Sequence, residues 1–177
     1  MAKLNTNGHI RIGHVYECIF GLFKRLQPDE AGNLTTVNKD EADSTAYDYR
    51  IPVELVKKRA VVVIGKHKGQ YIVVPISSTQ ATDKKPHKYP ESMGTHIRLT
   101  ECDLPQRGKY SEFKPRWAKC DLVTTVDGGR LRDIFDTEAH AHVPAHAVTS
   151  NTLLEIRYGV MRAIGLRDLV PSSDDES

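Results

Sequence analysis

Two short apolar runs constrain this chain more than any other feature. Residues 60–64 read Ala-Val-Val-Val-Ile and residues 71–76 read Tyr-Ile-Val-Val-Pro-Ile, with the glycine-bearing connector Gly65-Lys66-His67-Lys68-Gly69-Gln70 between them. Near-continuous β-branched runs of this kind are central strands buried on both faces, and the connector makes them a hairpin. An antiparallel pair at the centre then dictates what the rest of the chain must do: extend that sheet, and cover it.

Further strand signals lie on either side. Residues 13–20, Gly-His-Val-Tyr-Glu-Cys-Ile-Phe, alternate loosely and are rich in β-branched and aromatic types. Residues 95–99, Thr-His-Ile-Arg-Leu, alternate strictly, and residues 117–126, Trp-Ala-Lys-Cys-Asp-Leu-Val-Thr-Thr-Val, form one more candidate ending at the turn Asp127-Gly128-Gly129. A single helix is expected over residues 152–164. Thr152 and Glu155 fit a capping box there, Leu153, Ile156, Val160 and Ile164 keep helical spacing, and Gly165 stops it. About five strands in series with no helices between them cannot form a doubly wound sheet; a small, partly closed antiparallel barrel with the helix packed on it is the natural outcome. The implied organisation is a polar lead over residues 1–11, one domain over 12–167 interrupted by long polar loops, and an acidic, disordered tail over 168–177.

Composition excludes several classes. With 177 residues, 39% apolar and 27% charged, the chain suits one globular domain with appendages. The formal charge of +2 is far from that of a tail-type nucleic-acid binder, although Asp168, Asp174, Asp175 and Glu176 sit together and leave the remainder more basic. The longest apolar run is far short of the ~20 residues of a spanning helix, and residues 1–14 carry no apolar leader core. Cys18, Cys102 and Cys120 are odd in number and lack CxxC spacing, so a disulfide framework and a thiolate zinc site are not expected and a cytoplasmic setting is.

Three segments in order carry a resemblance. Residues 13–21, ending in Phe20-Gly21, are similar to the first strand of the PemK/MazF family of toxin endoribonucleases. Lys58-Arg59 and the run that follows, then Val73-Val74-Pro75-Ile76-Ser77-Ser78, resemble that family's "RPVVVIS … VVxPITS" core. Residues 120–127 with Arg130-Leu131 resemble its "CDQPRTID … RL" strand and turn. The match spans most of residues 12–166, with insertions at 24–50 and 100–115 relative to a minimal family member, and the long first insertion is closest to the larger YifN-like branch. The resemblance implies a mainly β, SH3-like barrel of the PemK/CcdB type with a C-terminal helix. It also implies a homodimer, metal-independent cleavage of single-stranded RNA without cofactor, and neutralisation by an antitoxin. The family's catalytic arginine falls on Arg59 and its catalytic threonine on Ser77; Lys58, Ser78, Thr79, His96, Lys119, Thr124 and Arg130 are the expected RNA-binding positions. Two departures stand out: Thr124 replaces the arginine of "PRT" and Leu122 the glutamine, with Lys119 and Arg130 as candidate replacements for the lost cation.

The chemistry suits these types. Cleavage by the substrate's own 2′-OH needs a proton acceptor and stabilisation of extra charge on phosphorus. A guanidinium is planar, always ionised and grips two phosphoryl oxygens, and a serine hydroxyl adds a donor, though without threonine's rotamer-fixing methyl. Plainer readings stay open. Arg59 is equally a solvated strand-end cation or a partner of Glu54, and Ser77 a cap for the loop after it, with Ser78 or Thr79 supplying the hydroxyl if the register slips. His96 is either an acid–base group or a core histidine. Glu138, His140, His142 and His146 invite a metal, but without a known ligand spacing they read as a polar loop leading into the helix. Tyr16, Phe20, Tyr110 and Trp117 are base-stacking candidates, Phe20 and Trp117 more naturally core. The cationic loops 65–70, 84–88 and 107–119 either line an RNA groove or are simply solvated. Two rivals to the nuclease remain, the same barrel acting by protein contact, as CcdB-type toxins do, or a nucleic-acid-binding regulator that does not cleave.

Overall fold

The computed structural model describes residues 6, 8–20, 26–28, 34–36, 58–78, 93–107, 110, 114–136 and 138–171, to which the following account refers. In chain order the elements are β1 (His14–Ile19), β2 (Leu26–Pro28), β3 (Leu34–Thr36), β4 (Lys58–His67), β5 (Gln70–Ser77), β6 (His96–Arg98), β7 (Trp117–Lys119), β8 (Thr124–Asp127), β9 (Leu131–Arg132), β10 (Ile134–Asp136), β11 (Ala141–Val143), β12 (His146–Ala147) and the helix α1 (Ser150–Ala163). Eight strands form one curled antiparallel sheet in the order β12-β1-β4-β5-β7-β6, with β8 also on β5 and β9 also on β1; β10-β11 and β2-β3 are separate hairpins. This is the mainly β class with a closing helix that the sequence implies.

The two apolar runs are central, as their composition requires. β4 pairs with β1 on one side and β5 on the other, and Val61, Val62, Val63, Val73 and Val74 are all fully buried. The hairpin is tighter than the six-residue connector suggests. Both strands continue to a two-residue turn at Lys68-Gly69, whose φ values of 45° and 81° are the left-handed pair that matches strand twist. Residues 117–126 are not one strand. β7 pairs with the end of β5 (Ser77↔Trp117) and β8 with its start (Val73↔Thr124), and a 3-10 turn at Cys120–Leu122 separates them. Cys120 is thereby buried beneath α1, so closely that a Cβ on Gly159 would stand 2.7 Å from its Sγ.

Alternation gives the sheet two cores. Val15, Ala60, Val62, Val74, Ile76 and Ala118 face α1 through Ile156, together with Leu99, Leu104 and Tyr110. Tyr16, Cys18, Val61, Val63 and Val73 face the other way, against Ile10, Phe20, Val126 and Leu131. Burial pushes the thiols of Cys18 and Cys120 up to about 12, while Cys102 is exposed.

The helix starts earlier than its capping-box pattern suggests. Thr149 is the N-cap, accepting from the Thr152 backbone N–H at 3.2 Å. Thr152 lies inside the first turn, its hydroxyl given to Asp103 at 3.0 Å. Asp103 has no exposed surface and also accepts from the Thr100 backbone and hydroxyl (2.8 and 2.7 Å) and the Thr149 backbone (2.9 Å). Burial alone would raise its pKa; these bonds outweigh that and hold the carboxyl below its usual value. The polar loop expected before the helix holds β10, β11 and β12, in which His142 Nδ1 stands 3.1 Å from the Asp133 carbonyl and His146 Nε2 2.7 Å from that of Cys102. Part of the first insertion forms β2-β3, and the start of the expected tail makes a 3-10 turn at Arg167–Leu169. No helix among the described residues is long and apolar enough to cross a membrane.

Candidate functional site

β4 opens with two cations, and strand alternation sends them to opposite faces. Lys58 shares the face of Ala60 and Val62, where its Nζ meets Glu17 Oε2 at 2.5 Å. Glu17 is only 3% exposed, so the lysine compensates a carboxylate that burial would otherwise penalise. Arg59 shares the face of Val61 and Val63, directly across from Cys18. Its Nε is buried and has no hydrogen-bond partner. The alternative of a pair with Glu54 involves a position outside the described residues; among those described, the carboxylate at this strand end is Glu17, and it meets Lys58.

β5 brings the serine. The β4–β5 pairing runs Val63↔Val73, Val62↔Val74, Val61↔Pro75 and ends there; two residues beyond it on each strand stand Arg59 and Ser77, which alternation puts on the face of Val61 and Pro75. Both line one groove of about 190 Å³, together with Lys58, Ser78, Ile76, Tyr110 and Arg116. Four expected site residues (Lys58, Arg59, Ser77 and Ser78) are therefore brought together. Thr79 lies outside the described residues.

The same sheet face continues across β7 and β6. Trp117 is opposite Ser77, and Arg98 is opposite Trp117. One step along, roughly 7 Å away at two residues per step, Lys119 is opposite His96. His96 and Lys119 thus share the face of Arg59 and Ser77, but they are 2% and 4% exposed and do not line the groove. His96 Nε2 contacts Asp121 Oδ1 at 2.9 Å, while its Nδ1 and the Trp117 Nε1 are buried without partners. Burial raises the Asp121 pKa, but the hydrogen bond and charge of His96 outweigh it and hold the carboxyl below its ordinary value.

Thr124, paired with Val73, stands two steps from Ser77 and away from the groove. Arg130 gives Nη1 to the Phe20 carbonyl at 2.8 Å, closing the end of β1. Neither it nor Lys119 reaches the groove. The cation that does, besides Lys58 and Arg59, is Arg116, from the cationic loop 107–119 for which the sequence offers either a groove wall or plain solvation; its guanidinium carbon lies 4.7 Å from the centre of the Tyr110 ring. Tyr110 is 4% exposed, and burial, with Glu17 nearby, drives its hydroxyl pKa upward, so it is neutral. Phe20 and Trp117 are buried, as the plainer reading has them. No cluster of three or more His, Cys, Asp or Glu fit to hold a metal ion occurs among the described residues.

Comparison with known proteins adds ancestry to this geometry. Residues 44–151 match the sequence profile of the family described as PemK-like, MazF-like toxin of type II toxin-antitoxin system. The Escherichia coli (strain K12) protein YifN is 33% identical over 123 residues, 68% of this chain and 70% of its own length. A Haemophilus influenzae (strain ATCC 51907 / DSM 11121 / KW20 / Rd) protein is 28% identical over 163 residues, 90% of this chain and 93% of its own. Among solved structures, an endoribonuclease from a mycobacterial species aligns over 97% of both chains at 14% identity and a TM-score of 0.43. The Mycobacterium tuberculosis toxin MazF-mt6 aligns over 62% of this chain and 89% of its own at 15% identity and a TM-score of 0.39.

Proposed function

The chain belongs to the PemK-like, MazF-like toxin family of type II toxin–antitoxin systems, and on that basis we propose that it is a metal-independent endoribonuclease that cuts single-stranded RNA. The observation that carries the reading is the convergence of Arg59 and Ser77 from adjacent strands on one groove, with the neighbouring carboxylate engaged by Lys58 rather than Arg59. In the reaction the ribose 2′-oxygen attacks the adjacent phosphorus as its proton departs. The O2′–P bond forms, the P–O5′ bond breaks, and the 5′-oxygen takes up a proton. The products are a 2′,3′-cyclic phosphate and a 5′-OH. Arg59 offsets the charge that builds on the phosphoryl oxygens, and Ser77 donates to the same group. Donors placed in this way are worth roughly 10²–10³ in rate each. Lys58 and Ser78 border the strand on the groove wall, and His96, Lys119, Thr124 and Arg130 lie outside its first contact. Homodimerisation, control by an antitoxin and a cytoplasmic setting belong to the same proposal.

The rival is a barrel of the same family that binds without cutting, favoured by Thr124 in place of the family's arginine. Incubation with long single-stranded RNA in EDTA, with mapping of fragment ends, separates the two. We expect discrete cuts bearing 5′-OH ends, lost in Arg59→Ala. Intact RNA at high concentrations of wild-type protein overturns the nuclease reading.

A further inference from the structure

We propose that Arg116 is a second RNA-binding residue, gripping a backbone phosphate next to the one at Arg59; this rests on the nuclease reading above. Arg116 lines the same groove as Arg59 and Ser77 although it comes from the loop before β7. Register explains how it gets there. Trp117 is the cross-strand partner of Ser77, so the residue before Trp117 falls at the level of Ser78. The loop is pinned at that point, because the Arg116 carbonyl accepts from the Leu99 backbone N–H at 2.9 Å.

The side chain is held as well as the backbone. The guanidinium stacks over the Tyr110 ring at 4.7 Å, and Nη1 donates to the Lys114 carbonyl at 3.3 Å. Tyr110 is itself buried and bonded through its backbone N–H to Arg107 at 3.1 Å, so the platform does not move freely. Stacking uses the face of a guanidinium, whereas a phosphate is gripped by its N–H edge, so the two contacts do not compete. A cation held in this way loses little rotamer freedom on binding. Two guanidiniums around one groove, one from β4 and one from the loop before β7, suit a ligand with successive negative charges, and a single-stranded RNA backbone is such a ligand.

The test measures affinity for an RNA made uncleavable by 2′-O-methyl groups, as a function of salt, for wild type, Arg116→Ala, Arg116→Gln and Arg116→Lys. Losing one phosphate contact should lower the slope of log affinity against log salt by about 0.7. We expect that change, with roughly tenfold weaker binding, in both the Ala and Gln variants. Arg116→Lys should keep the slope but recover only part of the affinity, since ammonium neither stacks nor forks. On cleavable RNA the loss should appear in KM rather than kcat. Two neutral variants guard against a folding failure in one, checked by thermal melting. Folded Ala or Gln variants with wild-type slope and affinity overturn the role of Arg116 while the nuclease reading stands. Wild type that neither binds nor cuts RNA overturns both.

Discussion

Two regions of the molecule treat buried polar groups in opposite ways. At the helix N-terminus, Asp103 has no solvent exposure and accepts four hydrogen bonds, from Thr100 twice, Thr149 and Thr152. On the sheet face that carries Arg59 and Ser77, three buried nitrogens (Arg59 Nε, Trp117 Nε1 and His96 Nδ1) have no partner at all. A buried polar atom without a hydrogen-bond partner costs about 1–3 kcal/mol, so a fold keeps several on one face only where something else is gained. The satisfied region serves stability. Of the three unsatisfied nitrogens, only that of Arg59 belongs to a residue that lines the groove; His96 and Trp117 lie outside it.

That contrast is open to direct attack, and the largest effect should come from the satisfied region. Asp103→Ala leaves its donors buried without an acceptor and should cost about 3 kcal/mol by denaturant unfolding, while cleavage per folded molecule stays unchanged. The same carboxylate sets a pH dependence. Its folded pKa lies below the ordinary 3.8, so its contribution is complete above that value and is lost as pH falls through it toward the folded value. Asp103→Asn should flatten this acid limb of the stability curve. Thr149→Ala, which removes only the N-cap hydroxyl, should cost about 1 kcal/mol. The smallest change in stability belongs to Arg59→Met, within about 0.5 kcal/mol of wild type or slightly favourable, because an unpartnered donor is removed while the stem remains. Its cleavage should nevertheless fall by at least ~100-fold. A destabilisation there as large as that of Asp103→Ala would erase the distinction between the two regions.

What the sequence disclosed follows the same division between local and distant causes. Residues 60–64 and 71–76 announce themselves because a strand buried on both faces has no polar alternation to hide it. The position of Arg59 beside Ser77 was readable through resemblance, and the hairpin register supplies its physical reason. By contrast, residues 117–126 look like one strand, since nothing local reveals that Cys120 must drop beneath α1 and divide β7 from β8. Thr152 and Glu155 satisfy a capping pattern, yet the cap is Thr149; the deciding partner, Asp103, is 46 residues away. β9 to β12 are two or three residues each, too short for any period to register. Loop 107–119 was legible as a cationic stretch that either lines a groove or is solvated; that Arg116 is its cation at the groove was not. Its position depends on Tyr110 beneath it and on the pairing of Trp117 with Ser77, both tertiary facts.

The uneven burial of the three thiols has a practical outcome. Cys18 and Cys120 are sealed in the two cores, whereas Cys102 sits on the surface in the short turn beside Asp103, its carbonyl touching His146. A maleimide dye added to the unaltered protein would settle at that single sulfur. From there it would watch loop, β12 and helix come apart, so the protein carries its own attachment point for following how its best-fastened corner opens.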